Sequence, residues 1–306
     1  MAIPREQAPE VGAQTSRDAA LVLAFALFPI TLFAFTPVTM RIIVGELDPL
    51  FAGLVRTAGA IVVTLPLALA LRFKLPRDPT GWRLLLLNAG LTFTVFPVLF
   101  ALGGQYTSAS HAALIMASTP IITGLCVAAL ERSRPRGTWW LGCAIAFAGE
   151  AALILMRDPA HGGGASTVGD LIIFCACIGS GTGYVASARL SLRIGVWPAI
   201  FWAVTIASLA QIPLVALRWR YADWSAVDAA GWASLIHLTY GASVIAILAW
   251  TWALARGGVA RVAVLQFAQP VIGLALAALL LGEQITLPLI VAAGFILAGV
   301  VIARRR

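Results

Sequence analysis

The sequence predicts an all-α integral membrane protein with ten transmembrane helices in two inverted five-helix repeats. Three observations carry that reading: the composition, the length of the apolar runs, and a set of landmarks that recurs half a chain later. Of 306 residues, 60% are hydrophobic and 11% charged, and the mean hydropathy is +0.94. Those values lie far outside the usage of soluble domains. A hydrocarbon core about 30 Å thick needs roughly 20 apolar residues per helix. Runs of that length lie near 19–38, 50–71, 83–102, 109–130, 138–156, 169–188, 197–217, 231–254, 260–281 and 286–303. A β-barrel needs short segments of strict alternation, and these runs are continuous.

The net charge of +8 would point to nucleic acid in a soluble chain. In a chain of membrane spans its placement matters more, because short loops rich in Lys and Arg stay in the cytoplasm. With the N-terminus inside, inner loops and tails hold sixteen of the 21 basic residues, among them Arg72, Lys74, Arg77, Arg83, Arg132, Arg134 and Arg136. The outer side holds Arg41, Arg157, Arg218 and Arg220, and Arg56 falls within a span. Both termini are therefore expected in the cytoplasm. Residues 1–18 are polar and of mixed charge, and the run after them is long for a signal-peptide core and lacks a small-residue cleavage site. They read as a cytoplasmic tail and the first span as retained. Cys126, Cys143, Cys175 and Cys177 all fall inside spans without C-x-x-C spacing, so packing is expected of them rather than disulfide or metal chemistry.

The recurring landmarks come next. "ASTPIITGLCVAALER" (Ala117 to Arg132) lies in the fourth run and "FAQPVIGLALAALLLGEQ" (Phe267 to Gln284) in the ninth, five runs apart. Pro120 and Pro270 each interrupt a run near its middle, and Glu131 and Glu283 each close one. Arg41, Pro49 and Pro66 line up with Arg189, Pro198 and Pro213, and Gly149 with Gly299. The chain therefore divides into a first repeat over 19–156, a periplasmic linker over 157–168, a second repeat over 169–303 and a cytoplasmic tail over 304–306. Five spans is an odd number, so the second repeat enters the membrane upside down. Inverted repeats with broken helices at mid-membrane are characteristic of secondary transporters, which bind substrate near the midplane between the repeats.

Ten spans in two units, with "TPIITGLCVAALER" closing the fourth and "QPVIGLALAALLLGEQ" the ninth, resemble the two EamA repeats of the drug/metabolite transporter superfamily. The overall sequence also resembles the YddG-type exporters of aromatic and other amino acids and of methyl viologen. The resemblance covers nearly the whole chain. It implies a multi-pass bacterial inner-membrane exporter with a central cavity, a small-molecule amino-acid-like substrate, no cofactor and no nucleic acid partner. The expected cavity is built from spans one to four and six to nine. The fifth and tenth are left peripheral, where a homodimer could form; otherwise the chain is a monomer.

A proline inside a helix frees the carbonyl four residues earlier, here those of Met116 and Gln266. In hydrocarbon such a carbonyl needs protein or a wet cavity beside it. Ser118 and Thr119 flank the first break, and Gln266 and Gln269 lie by the second, so all four are candidates for substrate contact. Asn88 and Thr92 on the third span, and Tyr240 and Ser243 on the eighth, fall at similar depth and can hold an amine and a carboxylate without a buried charge. Trp202 and Trp250 are candidates to flank an apolar side chain; the other tryptophans fit interfacial belts.

Ionisable groups inside spans are functional suspects. Arg56 could attract a carboxylate or snorkel to the headgroups. Glu150 reads as the only carboxylate well inside a span and is the candidate proton relay. His111 and His237 are candidates for gating or coupling, or are hydrogen-bonded packing histidines. No enzyme is expected. "HGGGA" (His161 to Ala165) has no G-x-S-x-G partner, and "GSGTG" (Gly179 to Gly183) lacks dinucleotide-loop spacing and lies mid-span. Gly179 and Gly183 instead form a small-xxx-small face for close helix approach.

Overall fold

The structure is a computed structural model that describes residues 16–131, 137–155, 166–257 and 264–304. Most of the expected N-terminal tail, "HGGGA" and most of the expected linker lie outside the described residues. Among the described residues all regular structure is helical. The elements are α1 (Ser16–Ile43), α2 (Pro49–Ala58), α3 (Ile61–Ala70), α4 (Pro79–Gly90), α5 (Phe96–Gly104), α6 (Ala109–Ala117), α7 (Thr119–Glu131) and α8 (Gly137–Leu155). They continue as α9 (Thr167–Ile194), α10 (Val196–Trp219), α11 (Ala229–Ile236), α12 (Ala246–Gly257), α13 (Ala268–Leu281) and α14 (Leu287–Arg304). Seven described stretches are long and apolar enough to cross a membrane. The other three expected spans correspond to α8, α13 and α14, of 19, 14 and 18 residues.

Helix starts follow their capping chemistry. Asp48, Asp78, Ser108, Ser166 and Asp228 each accept a backbone amide of the helix that follows, filling donors that have no intrahelical partner. Pro49 and Pro79 open α2 and α4, where the missing N–H costs nothing. Four long units are interrupted. One breaks at Gly59 and Ala60 between α2 and α3; another breaks at Ser118 between α6 and α7. A π segment, Leu91–Val95, joins α4 to α5, and a second, His237–Ile245, joins α11 to α12. The two π segments occupy the third span of each repeat.

The packing interleaves the repeats. Helix α1 packs on the α11–α12 unit and on α13, while α9 packs on the α4–α5 unit and on α7. These are the same pairings with the two repeats exchanged, as a pseudo-twofold relation requires. Helix α10 packs on α2 and α3, and α8 on α14. The last pair meets through glycine: a Cβ on Gly299 would stand 2.5 Å from the Gly142 oxygen, and one on Gly149 would stand 2.6 Å from the Phe295 Cβ. The aligned Gly149 and Gly299 thus serve one interface. The expected contact of Gly179 and Gly183 is also present. A Cβ on Gly179 would stand 3.3 Å from Val95, and one on Gly183 would collide with Thr92.

The end of the bundle where α1 begins is here the near end, and the end carrying the α1–α2 turn the far end. Apolar packing differs between them. In the far half a large cluster includes Met40, Ile43, Phe51, Phe100, Leu114, Ile173 and Leu238, beside a small one of Val38, Ala109 and Ala277. In the near half the described residues form three separate clusters, around Leu190 and Ala203, around Ile121 and Cys143, and around Ala26 and Ala253. The units containing Ser118 and Pro270 follow this division. A Cβ on Gly273 of α13 would stand 2.9 Å from the Ala113 Cβ on α6, whereas beyond the break α7 lies on α9, where a Cβ on Gly181 would stand 3.1 Å from Ile122.

Candidate functional site

Three side chains meet at one depth in the far half. Arg56 is seven residues into α2, His237 follows α11 by one residue, and Phe96 is eight residues from the end of α5. At 1.5 Å per residue each lies about 10–12 Å below the far-end helix termini. Arg56 is only 6% exposed, so it does not snorkel, and its Nε and Nη1 have no hydrogen-bond partner among the described residues. Its guanidinium stands 6.0 Å from the centre of the Phe96 ring and within Coulombic reach of Tyr184.

Tyr184 carries a signal that sequence inspection passed over. Leu171, Cys175 and Ile178 on α9 are exposed at helical spacing and mark its lipid-facing side. Tyr184 lies about 240° around from Ile178, on the side that carries the buried Cys177 and Ser180, yet it is 47% exposed. An exposed side chain facing the bundle lines internal space.

His237 is engaged with α1. Its Nε2 lies 3.0 Å from the Leu32 carbonyl and its Nδ1 3.0 Å from the Thr39 hydroxyl. A carbonyl only accepts, so Nε2 carries a proton toward Leu32, and the Thr39 hydroxyl is shared between Nδ1 and the Phe35 and Thr36 carbonyls at 3.1 and 3.2 Å. Tyr240 donates to the Gly59 carbonyl at 3.3 Å, tying the second π segment to the α2–α3 break. Ser243 turns back on its own helix, donating to the Leu238 carbonyl at 2.8 Å.

On the other π unit, Asn88 is 1% exposed and Thr92 8%, and neither side chain has a partner among the described residues. Pro97 removes a donor and frees the carbonyl of Phe93. Gln211 on α10 fills it from 2.9 Å and also donates to the Thr94 hydroxyl at 3.0 Å. Gln211 was legible in the sequence as a lone amide in the seventh span.

The remaining candidates separate. Ser118 is fully buried and donates to the Ile115 carbonyl at 2.7 Å, closing the α6–α7 break from within. The Thr119 carbonyl accepts from Thr123 at 2.8 Å, and Pro120 is half-buried in the first turn of α7. Gln266 lies in a 3₁₀ turn, Gln269 opens α13, and both are partly buried beside the buried Pro270. Trp202 is nearer the membrane edge than expected: seven residues into α10, it donates to the Phe73 carbonyl at 3.2 Å, beyond the near end of α3. Trp250 packs against the cluster of Ala26 and Ala253. The Glu150 side chain lies outside the described residues.

A carboxylate that the expected site residues do not include, Asp170, lies at the edge of its span rather than well inside it. It is fully buried in the first turn of α9. His111 Nδ1 stands 3.0 Å from Asp170 Oδ2, and since a carboxylate only accepts, Nδ1 carries the proton. Thr107 donates to Oδ1. The same turn, between α5 and α6, is held from two other helices. Arg41 donates to the Gly104 and Gln105 carbonyls at 3.3 Å, and Glu283 accepts from the amides of Ala109 and Ser110 at 2.7 and 2.9 Å.

Two ion pairs join the repeats at opposite ends, Asp78 with Arg193 at 2.8 Å and Asp48 with Arg218 at 3.2 Å. Outside the spans, burial and the neighbouring Asp228 charge push the Glu46 carboxyl up, while amides of Gly231 and Ala230 hold Asp228 down. A recess of about 430 Å³ opens at the far end between Asp48, Phe51, Arg218 and Tyr221. No expected site residue lines it. Among the described residues no group of three His, Cys, Asp or Glu side chains could hold a metal ion.

A match to the model of the EamA-like transporter family covers residues 20–155 and again 167–305. The chain belongs to the EamA-like transporter family. Within the drug/metabolite transporter superfamily, this EamA-like transporter is 31% identical over 265 residues to the uncharacterized transporter YdeK of Bacillus subtilis, spanning 87% of this chain and 90% of that one. It is 28% identical over 211 residues to a probable amino-acid metabolite efflux pump of Escherichia coli, spanning 66% and 70%. A crystal structure named only as that of a protein matches with a TM-score of 0.61 over 93% of this chain and 96% of its own, at 20% identity. That likeness carries the fold alone.

Proposed function

We propose that this EamA-like transporter is a ten-span secondary exporter that moves amino acids, aromatic and other neutral ones, and related small metabolites across a bacterial inner membrane by alternating access. The observation that carries the reading is one-sided closure. One large apolar cluster and a small one at Val38 fill the far half, the near half divides into three small ones, and Tyr184 is exposed toward the bundle. An inverted repeat can reach the mirror-image state by exchanging the conformations of its two halves. With the near end, its basic loops and both termini read as cytoplasmic, this state faces inward. The amino-acid class rests on the printed name of the Escherichia coli relative.

In this reading Asn88, Thr92, Tyr240, Ser243, Gln266 and Gln269 supply polar contacts along the pathway, and the breaks at Pro120 and Pro270 are its hinges. Glu150 and His111 are the positions through which a proton would couple. Helices α8 and α14 already pack on one another through glycine. A homodimer would use their outer faces, which carry the exposed Trp140, Leu141 and Phe295.

The test is uptake of labelled phenylalanine, methionine and threonine into proteoliposomes, with and without a pH gradient, beside the Gln266→Ala, Gln269→Ala double variant. Saturable uptake that the variant loses supports the reading, and dependence on the gradient distinguishes antiport from facilitation. No uptake above empty liposomes under any gradient removes the amino-acid assignment. Cationic drugs and nucleotide sugars, carried by other transporters of this fold, are then the next cargo to try.

A further inference from the structure

We propose that Arg56 and Tyr184 form the seat of a substrate carboxylate, so that the cargo is a zwitterion or anion with a terminal carboxylate and not a simple cation. This deepens the exporter reading and rests on it. A guanidinium stays charged at any physiological pH, and within a membrane an uncompensated charge is among the most costly groups a protein can hold. Arg56 is such a group. It is 6% exposed, Nε and Nη1 are unpartnered, and its closest aromatic support is the Phe96 ring at 6.0 Å.

The described carboxylates are all engaged elsewhere. Asp48 and Asp78 pair with Arg218 and Arg193, Asp170 with His111, and Glu283 with two amides of α6. Asp223 and Asp228 cap helix starts, and Glu46 accepts from the Asp228 amide. His237, the other polar group close by, is bonded to Thr39 and Leu32. The missing anion therefore has to come from outside the described chain. Tyr184 supplies the route and a second donor: it follows Gly183, where α9 meets the α4–α5 unit that carries Phe96, and is half exposed to internal space. Arginine beside a phenol suits a planar carboxylate, which accepts several N–H and O–H bonds at once.

The experiment is thermal unfolding of the purified full-length chain in detergent with millimolar L-phenylalanine, 3-phenylpropionate or phenylalaninamide, read beside uptake in proteoliposomes. The two carboxylates are expected to raise the melting temperature of the wild type and the amide to leave it unchanged. Arg56→Gln should abolish the shift, and Tyr184→Phe should weaken apparent affinity about tenfold, the value of one hydrogen bond to a charged group. If Arg56→Gln does not fold, Tyr184→Phe and the acid-to-amide comparison carry the test. A shift with the amide equal to that with the acids, a carboxylate shift that survives in Arg56→Gln, or no carboxylate shift in the wild type would each overturn the seat. Carboxylate-dependent stabilisation without uptake would sink the exporter reading instead and leave the seat standing.

Discussion

The carboxylate of Glu283 accepts the amide of Ala109 at 2.7 Å across 174 positions of sequence, and that of Ser110 at 2.9 Å. It therefore caps α6 from the end of α13, a service normally rendered by a residue of the same turn. The bond crosses between the repeats at the closed end of the bundle.

Glu283→Ala is expected to weaken that closure by about 1 kcal/mol, the usual worth of a cap, or roughly fivefold in the population of far-end-open molecules. A Ser110→Cys reporter in a background without the native cysteines reads this as a labelling rate with an impermeant maleimide. An unchanged rate would show that the cap does not hold the gate.

Asp170 and His111 are the most enclosed ionisable pair in the far half, at 0% and 6% exposure. Removing one partner from a buried pair typically costs 3–5 kcal/mol, because the other is left uncompensated. Asp170→Ala should therefore lower the melting temperature sharply, whereas Asp170→Asn, which keeps one acceptor oxygen and turns an amide donor toward the other partner, should cost less. Equal losses in the two variants would mean that shape rather than hydrogen bonding decides.

Gln211→Leu should leave the Phe93 carbonyl without its donor and cost about 1–2 kcal/mol. Because that carbonyl lies in a π segment freed by Pro97, the Pro97→Ala, Gln211→Leu double variant is expected to recover part of the loss. Strict additivity in the double-variant cycle would contradict the coupling.

Burial and the charge of Asp228 raise the Glu46 carboxyl above its ordinary value of 4.5. A raised folded-state value means the native state binds the proton more tightly, so this contribution is present at acidic pH and lost as pH rises through the carboxylate range. Glu46→Gln should accordingly melt higher than wild type at neutral pH, with the difference vanishing below about pH 4. A difference of the same size at both pH values would assign it to packing against Gly231.

The membrane class and the repeats were legible because each leaves a mark in one dimension: a long apolar run, a recurring proline, a terminal glutamate. Even Gly179 and Gly183 announced their close contact through spacing alone. The site was much less readable. Ser118 and Trp202 looked available for ligand, but each is hydrogen-bonded to a backbone carbonyl, of Ile115 and Phe73, that no sequence pattern marks. Asp170 passed as the edge of a span, since its burial is produced by Thr107 and His111 about 60 positions earlier. Tyr184 is distinguished only by facing inward while remaining exposed, which depends on how far apart its neighbours stand.

The interleaving also sets an order of events during synthesis. Once α5 has left the ribosome, the carbonyl of Phe93 and the hydroxyl of Thr64 sit in the membrane awaiting Gln211 and Thr205, which lie 118 and 141 positions downstream. The first repeat is thus an unfinished surface until α10 is inserted. Its nascent state needs shelter from lipid, by insertion factors or by late release, that an autonomous half would not require.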